Sequence, residues 1–191
     1  MFVSVCGCTI TAPPGASPTP VPTAVAPPSA PQTQSPASSG PFTIAVDSLV
    51  SGSVLPDIYT CQGASESPLV SWLNVPAGTQ SLVVILDDPD APLGTFTHWI
   101  VYNIPPETRE IPRAQPNAGV LSNGARQGDN SAGSVGYYPP CPPQGKSHRY
   151  VFTLYAVDTD IPPATADRAS INQTLTGHTI GQAQFVTTYG R

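Results

Sequence analysis

The chain has 191 residues, 25 of them proline, and only 10% are charged; twelve acids against seven bases give a net charge of −5. Seven bases cannot make the broad basic footprint of a nucleic-acid binder, so no nucleic-acid partner is expected. No run of 18 apolar residues is present, so no complete transmembrane helix is encoded. Alanine, leucine, lysine and glutamate do not dominate, which counts against helical bundles and coiled coils.

The composition divides the chain. Residues 1–40 hold nine of the prolines and no Asp, Glu, Lys or Arg, and the first charge is Asp47. So many prolines exclude a helix or a sheet ladder, and the tract has too little hydrophobic mass to offset chain entropy. It reads as a polyproline-II tether, about 3 Å per residue and up to roughly 90 Å for thirty residues. Residues 41–191 are then one domain, of ordinary size for a single core.

Before the tether stands FVSVCGC, with no basic residue and few apolar ones. Val5-Cys6-Gly7-Cys8 resembles the end of a bacterial lipobox, in which a small-residue cleavage site precedes the cysteine that receives lipid. Cys8 is the lipidation candidate. The expectation is an exported lipoprotein of the cell envelope, touching the membrane only through that lipid, whose start lies inside its signal peptide. A cytoplasmic chain with a chance VCGC is the alternative.

Short strands follow. Phe42–Asp47, Ile58–Cys61 and Val70–Leu73 are weak candidates, and Ser81–Leu86 is a continuous apolar run that suits a central strand. Thr97–Ile104 alternates, placing His98, Ile100, Tyr102 and Ile104 on one face and Trp99, Val101 and Asn103 on the other. Arg149–Val157 puts Tyr150, Phe152, Leu154 and Ala156 on one face. Ala164–Leu175 reads as a helix with Asp167 near its start, and Phe185–Tyr189 as a last strand. Strands without regular helical crossovers predict a mainly β fold, an antiparallel sandwich with one or two short helices.

Polar groups collect at the strand ends. Asp87, Asp88 and Asp90 crowd the turn after Ser81–Leu86; sharing one apolar pocket would raise at least one of their pKa values. His98 opens the next long strand and His148 precedes the third, so two histidines and two aspartates are expected to meet at one end of the sheets. A histidine beside a carboxylate holds a proton and offers an N–H to an anion. A solvated acidic turn and backbone-satisfied histidines are the plainer alternative. Cys61 and Cys141 lie 80 positions apart with no CxxC pair, which argues against a zinc ribbon or a thioredoxin-like site. A disulfide between them and two buried free thiols both remain open. No GxSxG elbow occurs, Pro140 stands where a P-loop before Gly145-Lys146-Ser147 needs glycine, and no cofactor fingerprint is present.

DPDAP at 88–92, HW at 98–99 and GYYPPCPPQGKSHRYVFTLYA from Gly136 to Ala156 together resemble the phosphatidylethanolamine-binding protein (PEBP) family, in its bacterial and archaeal Raf-kinase-inhibitor-like branch. YTCQG at 59–63, SPLVSW at 67–72 and GHTIGQAQFVTTYGR at 177–191 fit the same branch. The resemblance covers roughly residues 42–191. It implies a β-sandwich with a small pocket for phosphate or a phosphorylated head group, lined by Asp88, Asp90, His98, His148 and Tyr150 and walled by Pro140 and its loop. Pro139 stands where many members have glycine, so one loop N–H is lost. Larger members carry a carboxy-terminal extension beyond the stretch that resembles 177–191, so a more open pocket is the expectation here. The expected function is a non-catalytic binding module for an anionic or phosphorylated small molecule, without cofactor or metal. Inhibition of a partner kinase or protease is the second reading. A metal enzyme using Asp90, His98 and His148 as a 2-His-1-carboxylate set is the third. Some prokaryotic relatives form dimers, so a homodimer is the oligomeric expectation.

Overall fold

The computed structural model describes residues 40–162 and 167–191. The tether, the leader with Cys8 and the first residues of the expected Ala164–Leu175 helix lie outside them. In chain order the elements are β1 (Thr43–Val46), a 3-10 turn (Asp57–Tyr59), β2 (Val70–Leu73), β3 (Ser81–Asp88), β4 (Phe96–Ile104), β5 (Glu110–Ile111), β6 (Arg126–Gln127), β7 (Ser147–Val157), α1 (Arg168–His178) and β8 (Thr179–Gly190). They form a three-stranded sheet, β1-β2-β5, and a five-stranded sheet, β6-β4-β3-β7-β8. All pairings between these strands are antiparallel. The fold is the mainly β sandwich that the strand pattern predicts.

The apolar run of β3 is continuous because both of its faces are covered. Leu82, Val84 and Leu86 enter the core between the sheets, with Ile44, Val70, Trp72, Trp99, Phe152 and Leu154. Val83 and Ile85 face the other way and pack with Ile100, Tyr102, Ile161 and the α1 residues Ile171 and Leu175. Asp167 caps α1, its carboxylate accepting from the Ser170 N–H at 2.7 Å. The helical turns end at Thr176, and Gly177 takes φ +89°, which lets the chain turn directly into β8.

Three local expectations change. Ile58–Cys61 is no strand: Tyr59 and Thr60 bond back to Pro56 and Asp57, closing a 3-10 turn. A Cβ on Gly63 would meet the Asp57 carbonyl oxygen at 2.2 Å, so only glycine lets the chain pass behind that turn. β4 is interrupted twice. Its register against β3 shifts between Leu82 and Val84 and again between Leu86 and Asp87. Asn103, at φ +52°, belongs to the first irregularity. It holds both backbone groups of Ile161 through its amide, while Ile104 joins the core between the sheets rather than the Ile100 and Tyr102 face. The second irregularity falls at His98 and likewise breaks the alternation. Finally, β8 begins at Thr179, well before Phe185, because it pairs with all of β7; Gln182 and Gln184 in its first half are exposed and carry no hydrophobic signal.

Candidate functional site

The central position of β3 decides where the polar groups meet. Asp88 at its end is paired with Phe96 at the start of β4, and Asp87 is opposite Val151, near the start of β7. The end of β3 and the starts of both neighbours therefore share one edge of the sheet. Strand parity sends Asp88, His148 and Tyr150 toward the side of the core between the sheets. The bulge brings His98 to the same side, its ring edge-on to the Tyr150 ring at 5.3 Å between centroids.

These residues line a cavity of about 320 Å³. Its polar end holds Asp88, His98, His148 and Tyr150, and Phe96, Tyr138, Pro92, Cys141, Pro142 and Pro143 supply most of the apolar wall. His148 and Asp88 form a buried pair, Nδ1 to Oδ2 at 2.7 Å, with side chains 7% and 6% exposed. The other Asp88 oxygen accepts the Asp90 N–H at 2.9 Å, so each carboxylate oxygen has one partner. His98 places Nδ1 2.8 Å from the Tyr138 carbonyl oxygen. A carbonyl only accepts, so Nδ1 carries the proton and Nε2 is the ring atom left for the cavity. Burial is the main cause that pushes the His98 pKa below its ordinary value; the Tyr138 bond, Asp88 and Asp87 oppose it, and His148 adds to it. Tyr150 is completely buried, and its hydroxyl has no hydrogen-bond partner within the protein. Burial, with Asp88 second, raises the Tyr150 pKa far above the neutral range, so it remains a neutral O–H donor.

The three clustered carboxylates do not share this pocket. Asp87 has the opposite strand parity and binds Arg168 of α1 at 3.0 Å and the Thr97 hydroxyl at 2.7 Å. Asp90 turns outward to Arg149, bound through the side chain at 2.6 and 2.9 Å and through the backbone N–H at 2.9 Å. The Arg149 side chain lowers the Asp90 pKa to about 2, in the direction opposite to that expected for crowded carboxylates. Asp90 is thus absent from the cavity lining, and it does not complete a 2-His-1-carboxylate set with His98 and His148. No three His, Cys, Asp or Glu side chains among the described residues group as metal ligands. Pro140 is also not among the lining residues; its carbonyl accepts the Cys61 N–H at 3.1 Å.

Cys61 and Cys141 are joined by a disulfide, with Cα atoms 5.4 Å apart. The bond ties the wall after β6 to the 3-10 turn. Gly136 opens that wall at φ +97°, where a Cβ would meet Asn117 Oδ1 at 2.5 Å. Sequence reasoning did not single out Phe96, Tyr138 or the Arg149 clamp. Arg149 was legible: on an alternating strand it must point opposite to His148 and Tyr150. Tyr138 was not, because its hydrogen bonds with His98 are made by its backbone.

An antiparallel sandwich with a histidine–carboxylate pocket at the strand ends defines the class of protein. The chain belongs to the phosphatidylethanolamine-binding protein family, whose model matches residues 46–190. It is similar to a UPF0098 protein of Aquifex aeolicus, 44% identical over 148 residues that cover 75% of this chain and 85% of that protein. A UPF0098 protein of Methanothermobacter thermautotrophicus is 44% identical over 139 residues, covering 72% of this chain and 91% of that protein. Among solved structures, E. coli YbcL, described as a member of the mammalian PEBP family, matches with a TM-score of 0.73 and 31% identity over 80% of this chain and 99% of that one. The PEBP homologue CT736 of Chlamydia trachomatis matches with a TM-score of 0.70 and 34% identity over 79% of this chain and 98% of that one.

Proposed function

We propose that the chain is a non-catalytic binding module for a small anionic or phosphorylated ligand, acting at the cell envelope. The observation that carries this reading is the polar end of the cavity. The fully buried Tyr150 hydroxyl there has no protein partner, and both lining histidines have committed Nδ1 elsewhere. A buried donor without an acceptor is costly, and an anion would relieve it. Protonated His98 and His148 add Nε2–H donors, and a phosphate monoester of about −1.5 to −2 charge could use all three. The neighbouring guanidinium groups Arg149 and Arg168 are held by Asp90 and Asp87, and Arg191 is tied to the Pro142 carbonyl, so protonation of His98 is the adjustable charge. The Cys61–Cys141 disulfide supports placing the chain in an oxidising compartment, as an exported lipoprotein would be.

Titration calorimetry with inorganic phosphate and phosphorylethanolamine between about pH 5 and 8 tests the reading. Affinity is expected to rise as pH falls. Because His98 titrates below its ordinary value, the gain should continue into the acid end of that range. No binding at pH 5, or an affinity that ignores pH, would refute it. Docking on a partner kinase or protease is the second reading, favoured by fully exposed Leu93 and by Tyr138, 40% exposed, beside the cavity. A metal-dependent activity lacks a comparable observation, since Asp90 is engaged by Arg149.

A further inference from the structure

The cavity wall at Tyr138–Pro143 contains four prolines, at 139, 140, 142 and 143. Prolines have no N–H, so the wall forms few ladder bonds and depends on ties from outside. On the cavity side, the Tyr138 N–H donates to the His98 carbonyl at 2.8 Å, and the Tyr138 carbonyl accepts from His98 Nδ1 at 2.8 Å. Behind it, Tyr137 donates its hydroxyl to the Tyr59 carbonyl at 2.7 Å, and the Cys61 N–H reaches the Pro140 carbonyl at 3.1 Å. At the far end, Arg191 Nε donates to the Pro142 carbonyl at 2.7 Å, and the Gly145 N–H donates to the Arg191 carbonyl at 2.7 Å. One covalent link joins these ties: the Cys61–Cys141 disulfide. Cys141 lines the cavity and is an exposed residue, whereas Cys61 is half-buried.

We infer that the Cys61–Cys141 disulfide is a thiol-exchange site that controls the pocket, with its wall clamped when oxidised and released when reduced. The reagent class is a dithiol. Its thiolate attacks Cys141 Sγ, forms a mixed disulfide and expels Cys61 as a thiolate, which takes a proton from solvent. The second thiol then attacks the mixed disulfide, closes the reagent's own disulfide and frees the Cys141 thiol. One protein disulfide is reduced by two electrons and two protons, and one dithiol is oxidised. With the link gone, four prolines and a few hydrogen bonds hold the wall, and its coupling to His98 through Tyr138 weakens. The ligand consequence rests on the anion-binding reading above; the release of the wall does not.

The test uses the full chain, oxidised and then reduced with dithiothreitol, beside a permanently unlinked Cys61→Ser/Cys141→Ser variant. Three readouts are taken: hydrogen exchange of the non-proline amides from Tyr138 to Lys146, the pH titration of the His98 ring by NMR, and phosphate affinity near pH 6. Exchange in β3 shows in each sample that the sandwich is intact; the in-situ reduction remains informative should the double variant fail to fold. Release predicts at least tenfold faster exchange in the wall, while β3 stays the more protected segment in both redox states. It also predicts a shifted His98 midpoint, because the burial and the Tyr138 bond that set it both change, and at least threefold weaker phosphate binding as the donors lose their fixed places. The charged groups that act on His98 (Asp87, Asp88 and His148) and the Tyr138 and Tyr150 rings against it are the same residues in all samples, so the shift reports the wall. Identical wall exchange and His98 titration in both redox states would overturn the inference. Phosphate that binds neither state, together with a released wall, would overturn the anion reading alone. Phosphate that binds both states equally would overturn control of the pocket.

Discussion

Replacing Tyr150 by phenylalanine should move stability and binding in opposite directions. The ring is completely buried and edge-on to His98, and phenylalanine preserves both features. Only the hydroxyl is lost, and that hydroxyl has no protein partner. An unsatisfied buried polar group costs about 1–3 kcal/mol. Taken at the lower end, a gain of about 1 kcal/mol is expected in the unliganded protein. For a domain of this size that raises Tm by roughly 2–4 °C. Binding loses a hydrogen bond to a charged group, about 1.5–3 kcal/mol, which weakens phosphate affinity between roughly tenfold and a hundredfold. Urea denaturation without ligand and calorimetric phosphate titration near pH 6 measure the two effects. A variant destabilised by about 1 kcal/mol would mean that the hydroxyl supports the fold. One that binds phosphate as the parent does would show that the hydroxyl is not a ligand donor.

Three further outcomes follow from the same geometry. The His98 pKa is lower folded than unfolded, so the native state binds fewer protons between that lower value and about 6.5; stability should fall as pH drops through this window, and His98→Gln should flatten the slope in urea melts. Asp90 is held at about 2, so its pairing stabilises above the unfolded carboxylate range and is lost as pH falls toward 2. Arg149 is 59% exposed, so solvent screening limits the cost of Asp90→Ala to at most about 1 kcal/mol, and phosphate affinity near pH 6 should change less than threefold, by calorimetry. Removing the disulfide, which closes a loop with a sequence separation of 80, should cost about 4.5 kcal/mol on the chain-entropy model. Paired urea melts of oxidised and reduced protein check this, and a difference under about 1 kcal/mol would contradict it.

Much of the frame could be read from residue order. The apolar run Ser81–Leu86 identified a strand covered on both faces, and Val70–Leu73 has the bounds expected from its residues. Alternation in Arg149–Val157 correctly separated the core face, Tyr150, Phe152, Leu154 and Ala156, from the rest. The motifs around Asp88, His98 and His148 pointed to one end of the sheets, and all three line the same cavity. Periodicity and motif order are local properties, so a single sequence carries them.

Tertiary structure decided what local order could not. Asp87, Asp88 and Asp90 are near-neighbours in sequence, yet they answer to Arg168 in α1, His148 in β7 and Arg149 beside it. Strand parity and the turn after β3 set those choices. A bulge in β4 exists only relative to the register of β3, so alternation misplaced Ile104 and left the side taken by His98 to the pairing. The proline-rich loop was visible from composition, but Tyr138 and Cys141 line the cavity and Pro140 does not, because a disulfide and backbone bonds to distant segments orient it. The sequence by itself therefore determined the sandwich and the position of its polar strand ends. Which side chains enter the cavity, and which are drawn off by a guanidinium, depended on long-range pairing, since a carboxylate's partner is chosen by proximity in the folded chain.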